Sequence, residues 1–99
     1  MGYMRLSELE RKALKTSLTD FEGEVYLFGS RLDPKRRGGD IDILLKPRRK
    51  QNALTLKLSV GAKFMKELDQ SLDVVVYHEG NAFCQEIMKY AQRLDPQSL

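Results

Sequence analysis

The sequence has no tryptophan, one cysteine and three prolines among its 99 residues. A lone cysteine, Cys84, rules out an internal disulfide and points to a reducing compartment, the cytoplasm. No apolar run approaches the roughly 20 residues needed to span a bilayer. The N-terminal Met1-Gly2-Tyr3-Met4-Arg5 lacks the apolar stretch of a signal peptide. Internal repeats and low-complexity segments are also absent. The excess of one sign of charge is small: the net charge is +3 and the pI about 9.1. That excess is too small to indicate nucleic acid and would suit a phosphate-rich small molecule equally well. No aromatic array is available to stack bases along a strand, which counts against a single-strand binder. What remains is 41% hydrophobic and 31% charged residues, enough for one modest core with a well-solvated surface. The length fits a single domain over residues 1–99.

Hydrophobic periodicity predicts a small α/β (α+β) fold in the order α-β-β-α-β-α. Ser7 with Glu10 is a capping-box pair, and Leu6, Leu9, Ala13, Leu14 and Leu18 follow at near-helical spacing. This predicts a helix over about 7–19. Glu24 to Phe28 is β-prone, and Gly29-Ser30 turns out of it, with a turn of helix allowed over 30–33. A second strand spans Asp40 to Lys46 and stops at Pro47. Residues 51–70 carry both an alternating and a helical pattern. A crossover helix over about 52–69 is preferred, with Leu54, Leu58, Gly61, Met65 and Leu68 as its apolar stripe. Leu72 to Tyr77 is a β-branched strand. Asn81 caps a last helix predicted from Ala82 to about Arg93, with Phe83, Ile87, Tyr90 and Ala91 on one stripe, ended by Asp95-Pro96.

The chemistry concentrates between residues 28 and 42. Asp40 and Asp42 stand two apart on a strand, so they share one face while Ile41, Ile43 and Leu45 take the other. Neighbouring carboxylates repel, and a divalent cation between them is the natural remedy. If the Leu72–Tyr77 strand lies beside theirs, Asp73 joins them. Three carboxylates form an oxygen-rich site for a hard cation, and Mg²⁺ fits because it takes phosphate oxygens as its remaining ligands. Upstream, Gly29 permits close backbone approach and Ser30 offers N–H and hydroxyl donors to phosphate. Arg31, Lys35, Arg36 and Arg37 in the same loop would neutralise a triphosphate. A metal site beside a phosphate cradle implies phosphoryl or nucleotidyl transfer, with a two-metal scheme clamping the attacking and leaving oxygens. The other polar or sulfur-bearing residues read more simply. His78 is a loop histidine, Cys84 packs in the last helix, and Met65 and Met88 fill core space. Tyr26, Tyr77 and Tyr90 are core-edge aromatics.

The ordered set of Gly29-Ser30, then Asp40-Ile41-Asp42, then Asp73 on a later strand resembles the polymerase-beta-type nucleotidyltransferase superfamily. The small size resembles its minimal nucleotidyltransferase (MNT) branch. The match covers about residues 24–77. It departs at Gly39, where a serine commonly precedes the first aspartate. The resemblance implies that Asp40 and Asp42 hold both metals. It implies that Asp73 completes the catalytic metal site and helps activate the attacking hydroxyl, and that Gly29 and Ser30 hold the β- and γ-phosphates. In that branch the MNT protein is an antitoxin encoded beside a HEPN-domain ribonuclease toxin, which it binds and silences by moving AMP from ATP to a toxin tyrosine. The expectation is therefore a Mg²⁺-dependent nucleotidyltransferase with ATP as donor. At this chain length another protein must bring the acceptor, and either a homo-oligomer or a hetero-oligomer is compatible. The alternative is a non-catalytic binding module that neutralises its partner by occlusion. A third option, a nucleic-acid binder using the basic loop, fits less well.

Overall fold

The computed structural model describes residues 4–36 and 39–99. Arg37 and Gly38, part of the expected basic loop, lie outside the described residues, as does the start of the N-terminal segment. The elements are α1 (Glu8–Ser17), β1 (Gly23–Phe28), β2 (Ile41–Pro47), α2 (Ala53–Leu68), β3 (Leu72–Val76), α3 (Ala82–Met88) and β4 (Gln92–Leu94). Short 3₁₀ turns occupy Gly29–Leu32 and Pro96–Ser98. The four strands form one mixed sheet in the order β3-β2-β1-β4. β1 runs antiparallel to both β2 and β4, and β2 runs parallel to β3. The parallel pair needs a crossover, and α2 supplies it.

Period-two alternation separates the two faces. Val25, Leu27, Ile41, Ile43, Leu45, Leu72 and Val74 point to one side, where α1 and α2 close the main core. Phe64 is fully buried at its centre. On the other side Leu44 meets Cys84 and Ile87 of α3, with Tyr26, Phe28 and Val75 around them. α3 is short, so the N-terminal ends of β2 and β3 stay uncovered on this side.

The helix ends follow the sequence signals. Ser7 Oγ accepts from the Glu10 N–H at 3.1 Å, and Glu10 Oε1 accepts from the Ser7 N–H at 2.9 Å, completing the capping box. Asn52 and Asn81 cap α2 and α3 by accepting from the Thr55 and Cys84 N–H groups. Asp69 ends α2 in the left-handed region, at φ 52°.

Three expectations are corrected. The last helix stops at Met88 rather than near Arg93, and Gln92–Leu94 pairs with β1 as a fourth strand. β1 otherwise leaves an edge unpaired, and this short antiparallel strand covers it. The apolar stripe of α2 is rotated. Leu56, Val60 and Phe64 are buried, whereas Leu54, Leu58 and Met65 are exposed. Met65 is therefore not a core filler. In α1 the expected core residue Leu9 is 66% exposed and Glu10 is only 6% exposed. A buried carboxylate in place of a leucine requires a partner.

Candidate active site

The partner of Glu10 is Arg31. The guanidinium makes two parallel bonds, Nη1 to Oε1 at 2.7 Å and Nη2 to Oε2 at 2.8 Å. This fork-on-fork geometry is the strong form of the pair. Arg31 Nη1 also donates to the Arg5 carbonyl at 2.8 Å, and Nε donates to the Gly39 carbonyl at 3.0 Å. Gln70 Nε2 also donates to Glu10 Oε2, at 3.1 Å. The Arg31 hydrogen bond, ahead of the bonds from the Ser7 backbone and Gln70, holds the Glu10 carboxyl down at about 2 despite its burial. Arg31 is pushed up in turn by its bond to Glu10, with a smaller pull from Asp40. The guanidinium, expected to meet phosphate, is bonded in this structure to Glu10 and to backbone carbonyls. Arg31 is instead a strut. It joins the turn at Gly29–Leu32 to the segment entering β2, to the N-terminal segment and to Glu10 of α1, which in turn holds Gln70 ahead of β3. Arg5 reinforces the same turn, donating from Nε to the Asp33 carbonyl and from Nη2 to the Ser30 carbonyl.

Above this strut the sheet register aligns the expected residues. Phe28 faces Asp42 across β1–β2, and Asp42 faces Asp73 across β2–β3. Like charges in one cross-strand row are unfavourable. The Asp42 carboxyl is accordingly raised to about 6, first by burial, then by its hydrogen bond with Asp73 and by the charges of Asp73 and Asp40. Asp40 itself is exposed, just before β2 begins. The structure thus sets Asp42 and Asp73 side by side across β2 and β3 and places Asp40 within electrostatic reach of Asp42.

Gly29 lies directly beside this row, with φ +80°, and a Cβ built on it would strike the Asp42 carboxylate. Only glycine lets the turn cross at that distance. Gly39, with φ +86°, is the second such point. A Cβ there would meet Ser30 Oγ at 2.5 Å. The Ser30 hydroxyl therefore occupies space that a side chain at 39 would need, so a serine at that position would not fit this backbone. Gly29, Ser30, Gly39 and the carboxylates share one neighbourhood at the C-terminal end of β1. Lys35 and Arg36 are exposed in the loop between. The larger cavities, of about 530, 260 and 230 Å³, contain none of these residues.

Among the described residues no three His, Cys, Asp or Glu side chains are gathered tightly enough to ligate one ion. The donor chemistry nevertheless fits a hard cation. All three groups are carboxylates, and Asp42 takes up a proton at a pH where an isolated aspartate would be ionised. A cation of charge two would relieve the same repulsion.

No protein-family model matches the chain, and no curated protein matches it. Solved structures do. The complex of the tri-AMPylated Shewanella oneidensis HEPN toxin with MNT antitoxin aligns at a TM-score of 0.55 and 22% identity, covering 83% of this chain and 62% of the other. A toxin–antitoxin structure with AMP-PNP aligns at 0.64 and 22%, covering 84% and 70%. The toxin–antitoxin MntA–HepT aligns at 0.62 and 20%, covering 88% and 70%. The chain spans between three-fifths and seven-tenths of the length of these matches. The small mixed sheet with flanking helices is thus a fold shared with these toxin–antitoxin structures. No described helix is long and apolar enough to cross a membrane.

Proposed function

We propose that residues 1–99 form one minimal nucleotidyltransferase unit that moves AMP from ATP to a hydroxyl on a partner protein. The partner is a HEPN-domain toxin, the acceptor one of its tyrosines, and the outcome is antitoxin action in the cytoplasm. The observation that carries this reading is the row Phe28–Asp42–Asp73, with the Cα of Gly29 against the Asp42 carboxylate. The reading draws support from solved complexes of the same fold, one with a tri-AMPylated toxin and one with AMP-PNP.

In this mechanism the Gly29–Ser30 turn receives the β- and γ-phosphates through backbone N–H groups and the Ser30 hydroxyl. Lys35 and Arg36 offset their charge from the loop. Asp40, Asp42 and Asp73 would hold Mg²⁺, which supplies charge neutralisation on the phosphate oxygens and polarises the attacking hydroxyl. The acceptor oxygen attacks the α-phosphorus, the bond to the β-phosphate oxygen breaks, and pyrophosphate leaves. Asp73, more exposed than Asp42 and on the outer strand, takes the hydroxyl proton. The Glu10–Arg31 pair keeps the turn and both aspartate-bearing segments in place.

A second reading, neutralisation by occlusion, is favoured by exposed Leu54, Leu58 and Met65 on α2, which offer a face for a partner. One experiment separates the two. The chain is co-expressed with the product of the neighbouring gene, as wild type and as Asp42→Asn, and that product is weighed by intact mass spectrometry. A gain of whole AMP units with wild type alone supports transfer. No gain, with a stable complex in both cases, leaves occlusion.

A further inference from the structure

The two edges of the sheet differ. β4 closes one edge with three residues, carries Arg93, and is followed by Asp95-Pro96. Shortness, charge and proline are the usual means of blunting an edge. β3 closes the other with five residues, Leu72-Asp73-Val74-Val75-Val76, and has no lysine, arginine or proline. It pairs with β2 on one side, and among the described residues no strand pairs with its other side. The Tyr77 N–H donates to the Leu45 carbonyl at 2.8 Å. Tyr77 and, by alternation, Val75 and Asp73 therefore turn their backbone groups toward β2. Leu72, Val74 and Val76 turn theirs outward. Among the described residues these outward groups receive one contact, from Cys84 Sγ to the Val76 carbonyl at 4.0 Å. The Asp73 residue between them is exposed.

Resting on the nucleotidyl-transfer reading, we infer that this edge docks the acceptor: an extended segment of the partner protein adds to the sheet beside β3, with its hydroxyl-bearing residue at the end of the row Phe28–Asp42–Asp73. Main-chain bonds to Leu72, Val74 and Val76 would hold the segment, as in other cases of strand addition. Strands lie about 4.7–4.9 Å apart, so a side chain in line with Asp73 stands beside it on the same face. Its hydroxyl then meets the carboxylate assigned to take its proton. An aromatic side chain also reaches the diagonal positions. Charge favours this occupant over a second copy of the chain. Antiparallel pairing of two β3 edges about Val74 sets both Asp73 carboxylates on one face, on a diagonal of about 7–8 Å. That adds repulsion to a row that already holds Asp42 against Asp73. A partner segment with no Asp or Glu on that face brings no such cost.

The test is hydrogen exchange of the backbone amides, read by NMR. In the chain alone, the Val74 and Val76 amides should exchange faster than those of Val75 and Tyr77. In the complex of Asp42→Asn with the product of the neighbouring gene, both should slow by about tenfold or more. Val76→Pro removes one outward N–H and no bond to β2, a change that edge strands accept. It should raise the partner concentration for half-maximal AMP transfer about tenfold, as for one or two lost ladder bonds, and leave the melting shift with ATP and Mg²⁺ unchanged. The exchange measurement needs no substitution at the edge, so it stands even where Val76→Pro unfolds the chain. Amides that stay fast in the complex, while wild type transfers AMP, would overturn the edge and leave nucleotidyl transfer standing. So would amides slow in the chain alone that speed up on dilution, the mark of a second copy. Slowed amides in a complex whose partner gains no AMP from wild type would overturn the transfer reading, and the acceptor role of the edge with it.

Discussion

Replacing Glu10 with glutamine tests the strut beneath the site. The substitution keeps size but turns one accepting oxygen into a donating NH₂, and it leaves the Arg31 guanidinium without its counter-charge, with side chains on both residues only 9% exposed. Two independent routes give the cost. Depression of the Glu10 carboxyl from 4.5 to about 2 corresponds to roughly 3 kcal/mol at about 1.4 kcal/mol per tenfold. Removing one partner from a buried ion pair costs about 3–5 kcal/mol. In a chain of this size, 3 kcal/mol lowers the melting temperature by roughly 15 °C. The sign with pH follows from linkage. A carboxyl whose folded pKa is depressed contributes stability that is fully present above 4.5 and is lost as pH falls through about 2. Urea unfolding of the metal-free protein at pH 7 and at pH 2.5 should therefore show a large gap between wild type and Glu10→Gln at pH 7, and a much smaller one at pH 2.5. The double change Glu10→Gln with Arg31→Met should cost less than the two single changes added, because no charge is then left buried. A gap under about 1 kcal/mol at pH 7, or one that does not change with pH, would refute the strut, since even an exposed pair reaches that value.

Asp42→Asn should stabilise the metal-free protein at pH 7–8 and make no difference near pH 4. A carboxyl raised to about 6 contributes stability present below 3.8 and lost as pH rises through 6. Solvent screening reduces the gain to about 1 kcal/mol, and thermal melts across that range would detect it. Gly29→Ala should abolish nucleotidyl transfer and cost about 1–2 kcal/mol for the left-handed backbone alone, with a further penalty from contact with the Asp42 carboxylate. Wild-type transfer by this variant would show that the turn need not pass so close. Gly61→Ala, in α2 with nothing within 4 Å of the added methyl, should raise stability by about 0.5–1 kcal/mol. A loss in chemical denaturation would mean that the face is not open.

Much of this architecture is legible in the sequence because it rests on local chemistry. The Ser7/Glu10 pair predicts the start of α1, the β-branched run from Leu72 predicts β3, and alternation across Asp40–Leu45 predicts which side of β2 is buried. The adjacency of Asp42 and Asp73 needed only one further assumption, that β3 lies beside β2. The missing parts depend on contacts distant in sequence. Glu10 already had a role as a capping residue, so its burial against Arg31 carried no local signal, and Leu9 looked like the better core residue. In α2 the leucines at 54 and 58 and at 56 fit helical stripes of different phase, and packing against α1 and the sheet selects the second. Gln92–Leu94 has no strand pattern of its own and is a strand because β1 offers an open edge. The exposure of Phe83 and Tyr90 was not legible either, since both read as part of one helical stripe with Ile87 and Ala91.

The parallel pairing of β2 with β3 bears on when the protein can act. The turn at Gly29 and the first two aspartates belong to the antiparallel arm built from β1 and β2, whereas Asp73 is delivered only after the whole of α2 has crossed the sheet. Long-range parallel pairing is the slow part of assembling such a fold. A chain emerging from the ribosome thus carries the Gly29 turn and two of the carboxylates well before it carries the third. The row Asp42–Asp73 is complete only when the outermost strand docks and Gln70 closes onto Glu10. On the nucleotidyl-transfer reading proposed above, a partly folded chain has no complete site with which to consume nucleotide.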